Sequence, residues 1–155
     1  MPKIDIAKAA VRTGTIYPGR LAKVVGGREK QILGDLAGLT QFGVNLARLK
    51  PGAGSAMRHW HEKEDEFVYV LAGEITLIEN GGEILLRPGE AAGFKCGDEN
   101  AHMLVNKGNT DALYLEVGTR SANDCFHYPD ENLVGIKDPS GVRFQRPTGE
   151  PYSDE

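Results

Sequence analysis

Asn80-Gly81 stands between the apolar runs Ile75-Thr76-Leu77-Ile78 and Ile84-Leu85-Leu86. An Asn-Gly pair between two short stretches of β-branched and aliphatic residues is the strongest short-range signature of a β-hairpin, because both residues tolerate the backbone angles of a two-residue turn. Similar punctuation recurs along the chain. Residues 44–49 alternate in polarity until Pro51-Gly52-Ala53-Gly54 breaks the run, and residues 66–71 and 74–78 are rich in Val, Ile, Thr, Tyr and Phe with Gly73 between them. Pro88-Gly89 closes the next strand, and residues 102–106 and 112–117 supply two more around Lys107-Gly108-Asn109-Thr110-Asp111. Short strands separated by closely spaced turn residues fold as an all-β sandwich or barrel.

No window of helical length carries an apolar stripe free of Gly. Residues 31–39 come nearest, with Ile32, Leu33, Leu36 and Leu39 at roughly helical spacing, but Gly34 and Gly38 each cost a helix about 1 kcal/mol. A loop or a single turn is expected there. From Ser121 onward the chain becomes polar and rich in Pro, Gly, Asp and Glu, which reads as an arm laid over the domain, frayed at 151–155. The expected organisation is an N-terminal arm and edge strand over 1–35, one barrel over 36–120 and a C-terminal arm over 121–155.

A length of 155 residues with 40% hydrophobic content suits a single domain with a core of its own. The net charge of −4 argues against a nucleic-acid partner, since phosphate binding needs a basic stripe. The basic clusters at 23–30 and 143–146 are interrupted and read as solvated surface. Residues 1–20 lack the apolar run and cleavage pattern of a secretory signal, and no stretch is apolar enough to span a bilayer. Cys96 and Cys125 form no Cys-x-x-Cys pair, so the expectation is a cytoplasmic protein whose cysteines are small, partly buried side chains.

His59-Trp60-His61, followed by Glu66 and His102, carries the chemistry. On a strand successive side chains alternate faces, so His59 and His61 point together while Arg58 and Trp60 point the other way. A His-x-His pair alone is common on surface strands. Glu66 begins the next strong strand after the polar stretch Glu62-Lys63-Glu64-Asp65, and a turn there folds it back beside the histidines. The two-residue period then puts His102, Leu104 and Asn106 on the inward face of a later strand. A carboxylate on an apolar interior face is costly without a cation or hydrogen-bond donor, and a divalent ion removes that cost.

These residues resemble the motifs of the cupin superfamily. The first motif reads Gly, five residues, His-x-His, three or four residues, Glu, six residues, Gly, and His59, His61, Glu66 and Gly73 match it; Ala53, flanked by Gly52 and Gly54, occupies the leading position. In the second motif Gly89, Gly97, His102 and Asn106 match, with Lys95 where Pro is usual and two extra residues in Asp98-Glu99-Asn100-Ala101. His127 is the one other imidazole open to the role of His102. The likeness extends through Gly38 to Leu46 and Leu115 to Arg120, towards small single-domain bacterial cupins often labelled sugar-phosphate isomerase-like. It implies an all-β, single cupin jelly-roll barrel (double-stranded β-helix) with N- and C-terminal arms, and His59, His61, Glu66 and His102 as metal ligands.

Three imidazoles and one carboxylate suit iron, manganese, nickel, copper or zinc as divalent ions and suit a calcium cage poorly. The absence of thiolates argues against a closed structural zinc site. Four protein ligands on a six-coordinate ion leave room for substrate, which points to a metal-dependent enzyme acting on a sugar phosphate, keto acid or phenolic acid, of isomerase or oxygenase type. A non-catalytic module whose metal anchors a small ligand is the competing reading, and a metal-free jelly roll with both histidines exposed is the third. Tyr69, Glu74, Glu116 and Arg48 are polar strand residues, none of which the sequence marks as catalytic. Trp60, on the outward face, suits either a homodimer contact or packing under the chain's own tail.

Overall fold

The computed structural model describes residues 3–153. Among the described residues, thirteen strands run in chain order: β1 (Val11–Arg12), β2 (Arg28–Ile32), β3 (Phe42–Leu49), β4 (Trp60–His61), β5 (Glu66–Ala72), β6 (Ile75–Glu79), β7 (Gly82–Leu86), β8 (Ala91–Phe94), β9 (Met103–Val105), β10 (Ala112–Thr119), β11 (Asp124–Tyr128), β12 (Leu133–Asp138) and β13 (Gly141–Gln145). They make a six-stranded sheet ordered β1-β2-β3-β10-β5-β8, a three-stranded sheet β7-β6-β9 and a four-stranded sheet β13-β12-β11-β4. All the strand pairs are antiparallel.

Alternation decides what lies between the sheets. On β5, Val68 and Val70 are buried while Phe67, Tyr69 and Leu71 face out. The inward residues meet Ala47 and Leu49 of β3, Ala112 and Tyr114 of β10, Ile75 and Leu77 of β6, Leu86 of β7 and Leu104 of β9 in one core. At about 1.5–3 kcal/mol for each large apolar side chain removed from water, this core is the main force holding the two sheets together. Gly73, between β5 and β6, has φ 72°, and a Cβ there would lie 2.6 Å from the Asp111 carbonyl oxygen. Both facts require glycine at that turn.

The expected hairpin forms, with Glu79 opposite Gly82 and Ile75 opposite Leu86. Its turn differs in detail: neither Asn80 nor Gly81 has positive φ, and the left-handed freedom is used at Gly82, φ 128°. Of residues 31–39, Gln31 and Ile32 end β2 and Leu33–Leu36 form a single helical turn (α1). Strand β8 is unannounced in the sequence because Ala91-Ala92-Gly93 carries little β preference, and pairing with β5 supplies what propensity lacks.

The segment from 121 onward forms β11, β12 and β13 rather than irregular chain. Its Phe126, Tyr128 and Leu133 join Leu21 and Met57 in a second core, with Tyr17 and Phe144 against it. The ring of Phe126 occupies the space beside Gly135, where a Cβ would come within 1.8 Å of it. Pro151 bridges Gln145, and the Tyr152 amide donates to the Phe144 carbonyl; of the expected frayed end, Asp154 and Glu155 lie outside the described residues. Trp60 stacks on His127 of β11, with ring centroids 4.2 Å apart and 12° between planes. Of its two sequence readings, the chain's own tail is the one that covers it.

Candidate metal centre

His59 lies just before β4 and is tied to His102 by two backbone hydrogen bonds, His59 N–H to His102 O at 3.0 Å and His102 N–H to His59 O at 2.9 Å. This bridge holds the two rings 4.8 Å apart whatever the length of the loop before His102. The extra residues of that loop are absorbed outside the barrel, where Asn80 bonds Glu99 and Asn100, while Ala101 is fully buried. His61 lies on the same face as His59, with rings 5.0 Å apart. Glu66 opens β5 and turns its carboxylate to all three: one oxygen is 2.8 Å from His102 Nε2 and 3.6 Å from His59 Nε2, the other 3.6 Å from His61 Nε2.

The spacings of His59, His61 and Glu66 suit a shared ion, and His102 stands beside this set through its bond to Glu66. Donors bonded at about 2.0–2.2 Å to one transition ion, at octahedral to tetrahedral angles, sit about 3–3.6 Å from one another. The donor atoms of His59, His61 and Glu66 all fall within 4.8 Å of each other. Two rings are also set in the right tautomer. His59 Nδ1–H donates to the Met57 carbonyl at 2.7 Å, and His61 Nδ1–H donates to Asp124 Oδ2 at 2.6 Å, leaving each Nε2 with its lone pair towards Glu66. Such outer hydrogen bonds orient imidazole ligands and raise their basicity. His102 differs, for its Nε2–H donates to Glu66 and its buried Nδ1 has no partner among the described residues; its ring is fixed by stacking on Phe94, centroids 3.5 Å apart.

Burial acts to raise the Glu66 carboxyl, yet the hydrogen bond from His102 and the His59 and His61 imidazoles beside it hold it well below the usual carboxylate range. Burial lowers His59, but the Glu66 carboxylate beside it leaves this ring raised; at His102 burial prevails and the ring is lowered. Glu66 is therefore an anion at neutral pH and His102 a neutral imidazole, the forms a metal needs. Neither histidine is exposed in the way the metal-free reading expected: His59 is buried and His61 half-buried.

The centre opens on a cavity of about 770 Å³ inside the barrel. The Cupin domain family model matches residues 45–118. The oxalate-binding protein of Thermotoga maritima is 31% identical over 113 residues, covering 69% of this chain and 90% of that protein. The chain belongs to the cupin family. Among solved structures, a cupin-superfamily sugar phosphate isomerase from Silicibacter pomeroyi is 43% identical, with a TM-score of 0.96 over 98% of this chain and 97% of that one. A putative sugar phosphate isomerase from Acidithiobacillus ferrooxidans is 30% identical, with a TM-score of 0.76 and 84% coverage of each chain.

Several residues of this cupin's site went unread in the sequence. Asp124, the buried partner of His61, falls in the segment taken as an arm, although the alternation Asp124-Cys125-Phe126-His127-Tyr128 signals a strand. Arg28 and Lys30, grouped with solvated surface charge, line the cavity instead. Lys30 pairs with Glu116 at 2.6 Å, and Asn45 donates to the same carboxylate at 2.8 Å. The Arg28 guanidinium donates to the carbonyls of Ser55 and Gly14, and no carboxylate among the described residues pairs with it. Tyr17 and Tyr128 also line the cavity, with hydroxyls that burial raises, so at neutral pH they are donors. Tyr69 faces out, Glu74 pairs with Arg87 and Arg48 with Asp111, all away from the centre. His127 points to the opposite face of β11.

Proposed function

We propose that His59, His61, Glu66 and His102 hold one divalent transition ion and that the cavity above it takes a small anionic metabolite. The observation that carries this reading is the pair of oriented imidazoles: His59 and His61 have their Nδ1–H groups committed to Met57 and Asp124 and their Nε2 atoms turned to one carboxylate. Such an ion supplies Lewis acidity towards a carbonyl or carboxylate oxygen. To serve as the fourth ligand through Nε2, His102 would carry its proton on Nδ1 instead and give up its bond to Glu66. Arg28, paired with no acid among the described residues, offers its charge to a carboxylate or phosphate, and Tyr17, whose hydroxyl is bonded to that of Tyr128, offers a hydrogen bond. Relatives described as sugar phosphate isomerases and as an oxalate-binding protein are in keeping with an anionic ligand.

One observation favours the second reading, a binding module. Apart from Glu66, each acid that lines the cavity is engaged by a cation: Asp35 by Arg120, Glu64 by Lys137 and Glu116 by Lys30. None is free to take a proton from a bound sugar. Calorimetry of manganese-loaded protein with oxalate and with a pentose phosphate tests the function. Binding of either anion, weakened in Arg28→Ala, is the expected result; no heat with either contradicts it. Turnover of the phosphate would decide for an isomerase.

We further propose a homodimer formed through the outer face of the six-stranded sheet, where Phe67, Tyr69 and Leu71 are 45%, 39% and 45% exposed. Both cysteines are free, which suits a reducing compartment such as the cytoplasm. Among the described residues, no helix is long and apolar enough to cross a membrane.

A further inference from the structure

The outer face of β4 and β11 carries a second set of donor groups. Trp60 lies opposite His127, and the Glu62 amide donates to the Cys125 carbonyl at 2.9 Å, so these four side chains share the face turned away from Asp124, Phe126 and Tyr128. There the Cys125 sulfur is 3.5 Å from His127 Nε2, which is 2.8 Å from a Glu62 oxygen. All three donor atoms lie within 4.8 Å of one another. The side chains of His127 and Glu62 are 29% and 43% exposed, and Cys125 is partly exposed, so the group is open to an ion from solvent.

We propose that Glu62, Cys125 and His127 form a second metal site, distinct from the His59 centre, that takes a borderline-soft divalent ion such as zinc through one thiolate, one imidazole and one carboxylate. A tetrahedral ion with bonds of about 2.0–2.3 Å places its donors roughly 3.3–3.6 Å apart. The sulfur and nitrogen already stand at that separation, and the Glu62 oxygen must withdraw by roughly half an ångström, a small rotation for an exposed side chain. A thiolate among the donors selects zinc, nickel or copper over magnesium and calcium. The strand pair fixes the Cα positions, and the Trp60 indole, stacked on the imidazole, fixes the plane of the His127 ring. As the metal–sulfur bond forms, the thiol proton passes to the buffer. Three protein donors leave one position for water.

The other chemistry open to Cys125 is nucleophilic attack. Burial, with Glu62 beside it, pushes its thiol up to about 11, which leaves almost no thiolate at neutral pH in the metal-free protein. Because the His59 centre contains no sulfur, spectroscopy separates the two sites.

Titration of the full chain with cobalt(II) tests the proposal. The expected result is a near-ultraviolet thiolate-to-cobalt band in the wild type and in Cys96→Ser that is absent from Cys125→Ser. The emission of Trp60, the single tryptophan of the chain, should change with the same midpoint. Glu62→Ala should weaken the cobalt affinity read from that band by about tenfold or more, the least that loss of even an outer-shell partner costs. A wild type that takes up cobalt with no thiolate band overturns the proposal without recourse to any variant. A band that survives in Cys125→Ser, or an affinity unchanged in Glu62→Ala, also overturns it.

Discussion

The carboxylate of Asp124, with none of its side chain exposed, accepts the Nδ1–H of His61 at 2.6 Å and the Lys63 amide at 2.9 Å. A single residue of β11 thereby sets the tautomer and plane of a ring on β4 and anchors the turn that follows it. Asp124→Asn keeps an acceptor but removes the charge that favours this tautomer. Metal affinity, measured by competition with a chelator, should fall by roughly 10–100-fold while the melting temperature of the metal-free protein changes little. An unchanged affinity would mean that Asp124 does not position His61.

Gly135→Ala places a methyl group where the Phe126 ring lies. The ring cannot retreat freely, because it also packs edge-on against Tyr128 and Phe144. Overpacking of this kind costs about 1–3 kcal/mol. Thermal unfolding followed by circular dichroism should show a lower midpoint for the variant, and a truncated partner, in Gly135→Ala with Phe126→Leu, should recover part of the loss.

Both thiols should resist alkylation near neutral pH. Burial, and then Glu62, raises Cys125 to about 11, and hydrogen bonding to Asp65 raises Cys96. Since only the thiolate attacks, a raised value means less reactive sulfur at a given pH. In Cys96→Ser, iodoacetamide labelling of Cys125 read by mass spectrometry should be slow at pH 8 and climb towards pH 11. Rapid labelling at pH 7 would contradict this.

The outward face of β5 gives a prediction about assembly. Leu71→Glu places a charge among Phe67, Tyr69 and Leu71, none of which contributes to the inner core. Light scattering should report a dimer for the wild type and a monomer for the variant, with similar unfolding curves. A monomeric wild type would remove the proposed interface.

The barrel strands were legible because turn residues and a period of two agree with their burial: Val68 and Val70 inward, Tyr69 outward, and His102, Leu104 and Asn106 inward, as the alternation requires. The convergence of His59, His61, Glu66 and His102 was legible for the same reason. The residues around them were not. Asp124 reaches His61 across 63 positions, and nothing local marks it as a partner. Arg28 and Lys30 look like surface charge until the sheet curls and turns their face inward. Trp60 could be placed on an outward face but not against His127, since that contact depends on a strand pairing hidden among Pro, Asp and Asn residues.

A crystal grown from protein purified without tag or chelator, with diffraction recorded on both sides of the absorption edges of the first-row metals, is the sharpest test of the proposed metal centre. The expected result is one anomalous peak bonded to His59 Nε2, His61 Nε2 and Glu66, with His102 turned to it as the fourth ligand. No peak there after reconstitution with any of these metals, while the four side chains keep their positions, would contradict it.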